Sequence, residues 1–295
     1  MNKTYLIFRH EFVETIKRAG YIIMTLIVPV TALAGIGIFK LAMSWVGAPT
    51  AAPAGPIDSE VATLAGAILP GVFSLLLALA LMLGATSLVR GLAEEKESRL
   101  IEVLLSSVSV RQLLMGKVLA RGAAGLLQVL VWLISMPFIL DLASASFGGI
   151  IGYISVPVNF LLLGVAYFVL GYLLFAVLSI GLGAISTNSQ EGSTLSLVYT
   201  LTSFIPLWLF ALLLFFPESP LWVVLTIFPI TAPVQVMVRL GVGTIPFWQI
   251  VVSIGVLMVS IAVGMILAIR IFRLHMLMAG LRPKLGEIVK GTREA

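Results

Sequence analysis

Long apolar stretches alternate with short polar ones along the chain, and six of the apolar stretches are long enough to cross a bilayer. A spanning helix needs about 20 mainly apolar residues. The pattern therefore predicts an all-α integral membrane protein, a single transmembrane domain over residues 1–295 with six transmembrane helices. The predicted spans cover about residues 21–46, 63–89, 122–140, 156–185, 195–216 and 247–269.

Residues 3–18 have a different pattern, in which apolar and charged positions fall on opposite sides of a helix. Leu6 and Phe12 lie on the apolar side, and Glu14 lies on the polar side. Such an amphipathic helix suits the headgroup region of a membrane. A cleaved signal peptide is the less favoured alternative, because Glu11 and Glu14 stand where a signal peptide is basic or apolar.

Residues 217–246 are mainly apolar but are interrupted by proline too often to make a clean crossing. Two short helices that enter the outer leaflet and return are expected instead. Non-spanning backbone at that depth is tolerated only where protein buries it. The candidate residues of this external re-entrant segment are Pro229, Pro233 and Arg239.

Residues 90–121 form a charged block between the second and third predicted spans. We expect this block to face water, because each ion in hydrocarbon costs several kcal/mol. Glu95 and Arg99 form an i,i+4 pair in the favourable order, and Leu100 and Leu104 give the same helix an apolar face. Part of the block is therefore suited to contact another protein.

Serine residues divide the charged block into two predicted helices. Ser107 falls in the serine-rich break, and Ser109 with Gln112 has the spacing of a capping box, so a new helix is expected to begin near Val110. Thr187 with Gln190 has the same spacing and predicts a second cap in the polar turn 186–194.

Composition and charge agree with a membrane protein and indicate its orientation. The chain is 60% hydrophobic and 11% charged, whereas soluble domains are about 25% charged. Its net charge of +5 does not indicate nucleic acid binding, because the basic residues flank apolar runs. With six crossings, Lys40 and Arg239 alone among the Lys and Arg residues fall on one side. The positive-inside rule therefore places both termini, the charged block and the tail 270–295 in the cytoplasm, across a cytoplasmic (inner) membrane.

The sequence lacks the motifs of several kinds of chemistry. It has no cysteine, and His10 and His275 are isolated, so no metal site is predicted. It has no G-x-x-x-x-G-K-[ST] phosphate loop, so the chain is not expected to hydrolyse ATP or to hold a cofactor itself. Three functions stay open on these grounds: a permease driven from outside the chain, a membrane-embedded enzyme acting on lipids or peptides, and a non-transporting scaffold or sensor.

The charged block also resembles a known family. EEKESRLIEVLLSSVSVRQLLMGK, residues 94–117, is similar to the segment after the second span in permeases of the ABC type-2 exporter class, particularly the sodium-extrusion and drug-efflux-like branch. It departs at Val108, where that family prefers proline. The residues that match are Glu95, Lys96, Glu97, Glu102, Leu104, Leu105, Ser107, Gly116 and Lys117.

The resemblance implies a six-span permease subunit that pairs with a second permease copy, identical or not, in membrane lipid. Separate ABC ATPase subunits, which hold the ATP and Mg, are expected below it. The N-terminal helix corresponds to the family's connecting elbow, and a helix within 92–107 to the coupling helix that enters a cleft in the ATPase. The residues implied in ATPase coupling are Glu94, Glu95, Glu97, Arg99, Leu100, Glu102, Leu104 and Leu105, with Ser107, Ser109 and Gln112 in the turn and cap.

Overall fold

The computed structural model describes residues 3–46, 59–97, 107–144, 158–243 and 245–277, and every regular element in these ranges is a helix. The helices are numbered here in chain order. They are α1 Lys3–Lys17, α2 Ala19–Val46, α3 Ser59–Glu97, α4 Val110–Ser144, α5 Val158–Ile185, α6 Ser189–Ser203, α7 Ile205–Trp208, α8 Phe210–Phe215, α9 Leu221–Ile227, α10 Ala232–Val242 and α11 Phe247–Leu277.

Five of the described helices are long and apolar enough to cross a bilayer: α2, α3, α4, α5 and α11. They differ in how far the rest of the protein covers them. Half of the most apolar stretch of α3 and of α5 is buried, compared with 18% of α2 and 11% of α11. The core of the molecule is therefore built around α3 and α5, with α2 and α11 at its edge.

Close approaches of α3, α4 and α5 depend on small residues around one aromatic ring. Tyr172 on α5 is buried between Gly84 on α3 and Gly122 on α4. A Cβ at Gly84 would lie 2.9 Å from the ring, and one at Gly122 would lie 2.7 Å from it. Neither position has room for a side chain, so glycine at these two sites sets the spacing of the three helices.

The amphipathic N-terminal segment is a helix, as the pattern predicted, and none of its residues is fully buried. α1 lies against the first turns of α4, where a Cβ at Gly116 would meet Ile7 at 2.7 Å. The helix predicted near Val110 is also confirmed. Ser109 and Gln112 make both capping-box bonds, with Ser109 N–H donating to Gln112 Oε1 at 3.1 Å and Gln112 N–H donating to Ser109 Oγ at 3.3 Å.

The segment predicted as the fifth span, 195–216, is not one continuous helix. α6 ends at Ser203 and is followed by the short helices α7 and α8. Pro206 has no N–H to continue the hydrogen-bond ladder of α6. Serine and threonine hydroxyls of α6 also bond to carbonyls of their own helix, as Ser203 does to Thr200 at 2.6 Å, which favours local bends.

The predicted cap at Thr187 and Gln190 is wrong by one residue. Asn188 is the N-cap of α6, and its side chain accepts a hydrogen bond from Glu191 N–H at 2.8 Å. Glu191 in turn accepts from Thr187 N–H at 2.8 Å. Asn188 therefore caps the helix, because Asn is at least as good an N-cap as Thr, and the Glu191 carboxylate binds the preceding residue Thr187 and not the cap itself.

The proline-rich segment 217–246 forms two short helices, α9 and α10, as predicted. Every residue of α10 from Ala232 to Val238 is buried. Pro233 lies against α5, where a Cβ at Gly171 would approach its ring to 2.8 Å. Protein therefore covers this backbone, which is the condition for a non-spanning segment at membrane depth.

Candidate functional site at the junction of three helices

The first turns of α4 carry a lysine that is buried although it is charged. Lys117 is 1% exposed, and its ammonium donates to the carboxylates of Glu11 on α1 and Glu95 on α3. A buried charge costs several kcal/mol unless it is paired and hydrogen-bonded. Three helices therefore meet at one ammonium group. We call Glu11, Glu95, Lys117 and Arg121 the charged junction.

Arg121 lies one helical turn beyond Lys117 and completes the charged junction. Its guanidinium is 3.6 Å from Glu11 Oε2, and its Nη1 donates to the carbonyl of Ser87 at 2.9 Å. The side chain crosses α3 at Gly91, where a Cβ would lie 2.3 Å from Nη2. Gly91 therefore provides the space in which Arg121 reaches over α3.

The charged junction favours the ionised form of Glu11. Burial acts to raise the pKa of this carboxyl, but attraction to Lys117, the hydrogen bond from Lys117 and attraction to Arg121 outweigh burial. The pKa of Glu11 is therefore lowered from its ordinary value of 4.5. Glu11 stays ionised at neutral pH and keeps its bonds to Lys117 and Arg121.

The end of α3 is also bound to α5 and α6. Lys96 donates to the carbonyls of Ala184 at 2.7 Å and Ser186 at 3.1 Å, at the end of α5, where free carbonyls attract a cation. Arg90 Nε donates to Ser193 Oγ on α6 at 2.8 Å. Motion of the last turns of α3 would consequently act on α1, α4, α5 and α6 together.

The structure places the predicted coupling residues in three groups. Glu94 is exposed near the end of α3, and Glu95 belongs to the charged junction. Ser107 accepts a hydrogen bond through its carbonyl from Lys3 at 2.7 Å, and Ser109 and Gln112 cap α4. The side chain of Glu97, and all of Arg99, Leu100, Glu102, Leu104 and Leu105, lie outside the described residues.

The expectation that the whole charged block faces water is wrong for its second half. Lys117 is 1% exposed and Arg121 is 7% exposed. Their partner Glu11 is 106 residues from Lys117 in sequence, so no local pattern pointed to the pairing. One sequence feature could have pointed to Glu11 as a partner. It is an acidic residue on the amphipathic helix, in a chain with few acidic residues.

The residues predicted for the proline-rich segment have packing and bonding roles. Pro229 lies between α9 and α10, and Pro233 is buried. Arg239 Nη1 donates to Thr226 Oγ1 at 2.9 Å and to Gln249 Oε1 at 2.6 Å. These bonds join α10 to α9 and α11 through neutral acceptors.

Comparison with known proteins gives the chain a family. Residues 48–270 match the family described as ABC-2 family transporter protein. The chain is 30% identical over 220 residues to the uncharacterized protein MJ1024 of Methanocaldococcus jannaschii, covering 74% of this chain and 52% of that protein. It is 27% identical over 201 residues to the uncharacterized protein YhaP of Bacillus subtilis, covering 66% of this chain and 48% of that protein.

The chain thus spans about half the length of the curated relatives that it matches. The family match covers well over half of the chain, from before α3 to the last turns of α11. It agrees with a helical, multi-pass membrane protein with several apolar helices. The chain belongs to the ABC-2 family of transporter proteins, whose domain is the membrane component of an ABC transporter.

Proposed function

We propose that this chain is the permease subunit of an ATP-driven ABC exporter. It would move a substrate outward across the cytoplasmic membrane with ATP hydrolysed on a separate ATPase subunit. The observation that carries the proposal is the charged junction, which joins the end of α3 to α1 and α4. Two of its members, Glu95 and Lys117, belong to the segment that resembles the permease family. The sequence given has no phosphate loop, which agrees with ATP hydrolysis on a partner subunit.

The long helix α3 can transmit a displacement from the coupling region to the membrane-spanning helices. It is continuous from Ser59 to Glu97, and half of its most apolar stretch is buried. A rigid helix carries a displacement of its end along its length, and packed interfaces convert such shifts into discrete rearrangements. A push on residues 98–106 would therefore reach α1 and α4 through Lys117, and α5 through Lys96.

The topology that fits this function has six crossings. In this topology, α6, α7 and α8 together make the fifth crossing. Their combined length exceeds the roughly 20 residues that a span needs. Both termini and the charged junction lie on the cytoplasmic side, α1 is the elbow helix, and α9 with α10 is the external re-entrant segment. A second permease copy completes the transport path. The sodium-extrusion and drug-efflux-like branch stays a prediction that rests on the resemblance alone.

Affinity purification of the tagged chain in mild detergent, with identification of the co-purifying chains, tests the proposal. We expect an ABC ATPase and a second permease copy. Glu97→Lys and Leu104→Asp should each remove the ATPase and leave membrane insertion intact, whereas Glu14→Lys, an exposed carboxylate on α1, should retain it. Absence of any ATPase from the wild-type preparation, or normal co-purification and transport in both coupling variants, would contradict the proposal.

A further inference from the structure

The proline in α2 leaves one backbone carbonyl without its helical donor, and a tryptophan of α4 supplies a hydrogen bond to it. Pro29 stands inside α2 and has no N–H with which to bond the carbonyl of Thr25, four residues earlier. Trp132 on α4 is 6% exposed, and its indole Nε1–H donates to that carbonyl at 2.9 Å. The bond from Trp132 thus replaces the one that Pro29 removes.

This carbonyl lies at a depth where water cannot replace the missing donor. The candidate span in α2 runs from Ala19 to Ala42, and Pro29 lies ten residues after its start, about 15 Å along the axis. Inside a bilayer an unpaired backbone carbonyl has no water to bond, so a neighbouring helix has to satisfy it. Trp132 therefore determines whether the turn before Pro29 is fully hydrogen-bonded.

The two parts of α2 on either side of Pro29 are attached to the protein differently. Before Pro29, the Tyr21 hydroxyl donates to the carbonyl of Ala124 on α4 at 2.7 Å, in addition to the indole bond. We call residues 30–46 the distal half of α2. Among the side chains that the structure describes in it, Ile36 alone is buried. The distal half is therefore held much less firmly than the first part of the helix.

A threonine next to this turn also favours a bend. Thr31 Oγ1 donates to the carbonyls of Ile27 at 2.6 Å and Val28 at 3.1 Å, both within α2. Hydroxyl bonds to the preceding turn bend helices, and proline is a common cause of sharp kinks. Two features that promote bending thus coincide where the helical ladder already lacks a bond.

From these observations we propose that α2 has a hinge at Pro29 and that Trp132 is its latch. The indole fixes the direction of the Thr25 carbonyl and hence the bend of α2. When this bond breaks, the bend is free to change and the distal half alters its angle to α4, as a few hinge residues permit in other proteins. The hinge stands on these contacts, whereas its use in a transport cycle rests on the proposed function.

Double electron–electron resonance on the full chain in nanodiscs tests the hinge. The chain has no native cysteine, so spin labels can be attached to introduced pairs. Leu41→Cys with Leu162→Cys places exposed labels on the distal half and on α5. Ile22→Cys with Leu162→Cys, also exposed, reports on the first part of α2. Dilution with unlabelled chain ensures that distances within one chain dominate.

Each label pair is measured in wild type, Trp132→Phe, Pro29→Ala and the combination of the two. Trp132→Phe keeps an aromatic ring but removes the N–H, and Pro29→Ala restores the helical N–H that bonds the Thr25 carbonyl. Trp222→Phe is the matched control. It removes another buried indole, whose Nε1–H donates to the carbonyl of Phe216 at 2.7 Å, far from α2 in sequence.

We expect wild type to show one main distance between positions 41 and 162 and a second, minor one. Trp132→Phe should raise the ratio of the second to the first about fivefold, the effect of one neutral hydrogen bond. Pro29→Ala should leave the main distance alone, and adding Trp132→Phe to it should have no further effect. Trp222→Phe should change nothing, and the pair at positions 22 and 162 should keep one distance in every variant.

An unchanged distance distribution in Trp132→Phe would overturn the latch. Equal broadening with and without Pro29→Ala would show that Trp132 acts through packing alone, and equal broadening at positions 22 and 41 would show that α2 moves as a whole; either result would overturn the hinge. The measurement needs neither substrate nor ATPase. A single fixed distance in a chain that co-purifies with an ATPase would reject the hinge and keep the proposed function, and a working hinge without an ATPase would do the reverse.

Discussion

The two ends of the helical bundle are held together by different chemistry. At the charged junction, Lys117 is buried and bound to two carboxylates from other helices. At the proline-rich end, Arg239 is half-buried and donates to the neutral oxygens of Thr226 and Gln249. Removing one member of a buried ion cluster leaves uncompensated charge, whereas removing a donor from neutral acceptors does not. Substitutions at the charged junction should therefore destabilise the protein more than substitutions at the proline-rich end.

The largest expected effect comes from Lys117→Met. It leaves Glu11 and Glu95 facing each other without their shared cation and should destabilise the protein by about 3–5 kcal/mol. Arg239→Met should cost about 1–3 kcal/mol, the price of unsatisfied neutral acceptors. Denaturant unfolding in detergent micelles measures both. Equal losses at the two ends would remove the distinction between them, and Lys117→Met with Glu11→Gln and Glu95→Gln should recover part of the loss.

Acidification should weaken the junction end selectively. The folded-state pKa of Glu11 lies below its ordinary value of 4.5, so its contribution to stability is fully present above pH 4.5 and is lost as the pH falls through the lower folded value. Thermal unfolding between pH 6 and pH 3 measures this loss. In Glu11→Gln the melting temperature should fall less steeply between pH 6 and pH 3 than in wild type. An identical pH dependence in the two proteins would show that Glu11 does not contribute to it.

Gly91→Ala tests the path of Arg121 across α3. The added Cβ would lie 2.3 Å from Nη2, so the guanidinium has to leave its place between Ser87 and Glu11. We expect a net loss of about 1 kcal/mol, since alanine favours the helix and so offsets part of the cost. Gly255→Ala, where nothing lies within 4 Å of the new Cβ, is the control and should be neutral or stabilising. In an Arg121→Met background Gly91→Ala should no longer destabilise.

The smallest effect belongs to the cap that begins α4. Ser109→Ala removes the acceptor for Gln112 N–H and should cost about 0.5–1 kcal/mol, as other N-caps do. Hydrogen exchange at the first amides of α4 should accelerate, while amides in α10 should not change. Uniformly faster exchange over both helices would indicate that Ser109 acts through global stability instead.

The elements that sequence reasoning predicted correctly depend on neighbours in the chain. The amphipathic period of residues 3–18, the capping box of Ser109 and Gln112 and the proline interruptions of 217–246 are local signals, and each gave the expected helices. The charged junction depends on Glu11 meeting Lys117 across 106 residues, which only packing decides. The broken helix after Ser203 was missed because hydropathy alone does not weigh Pro206 and the hydroxyls of α6.

Site-directed cross-linking tests most directly the claim that an ATPase pushes on the junction end. The chain has no native cysteine, so a single introduced cysteine can be labelled uniquely with a maleimide–diazirine reagent. Glu94→Cys, exposed near the end of α3, should form a photo-cross-link to an ABC ATPase in native membranes, whereas Phe216→Cys, exposed just after α8, should not. A cross-link from position 216 and none from position 94 would contradict the account.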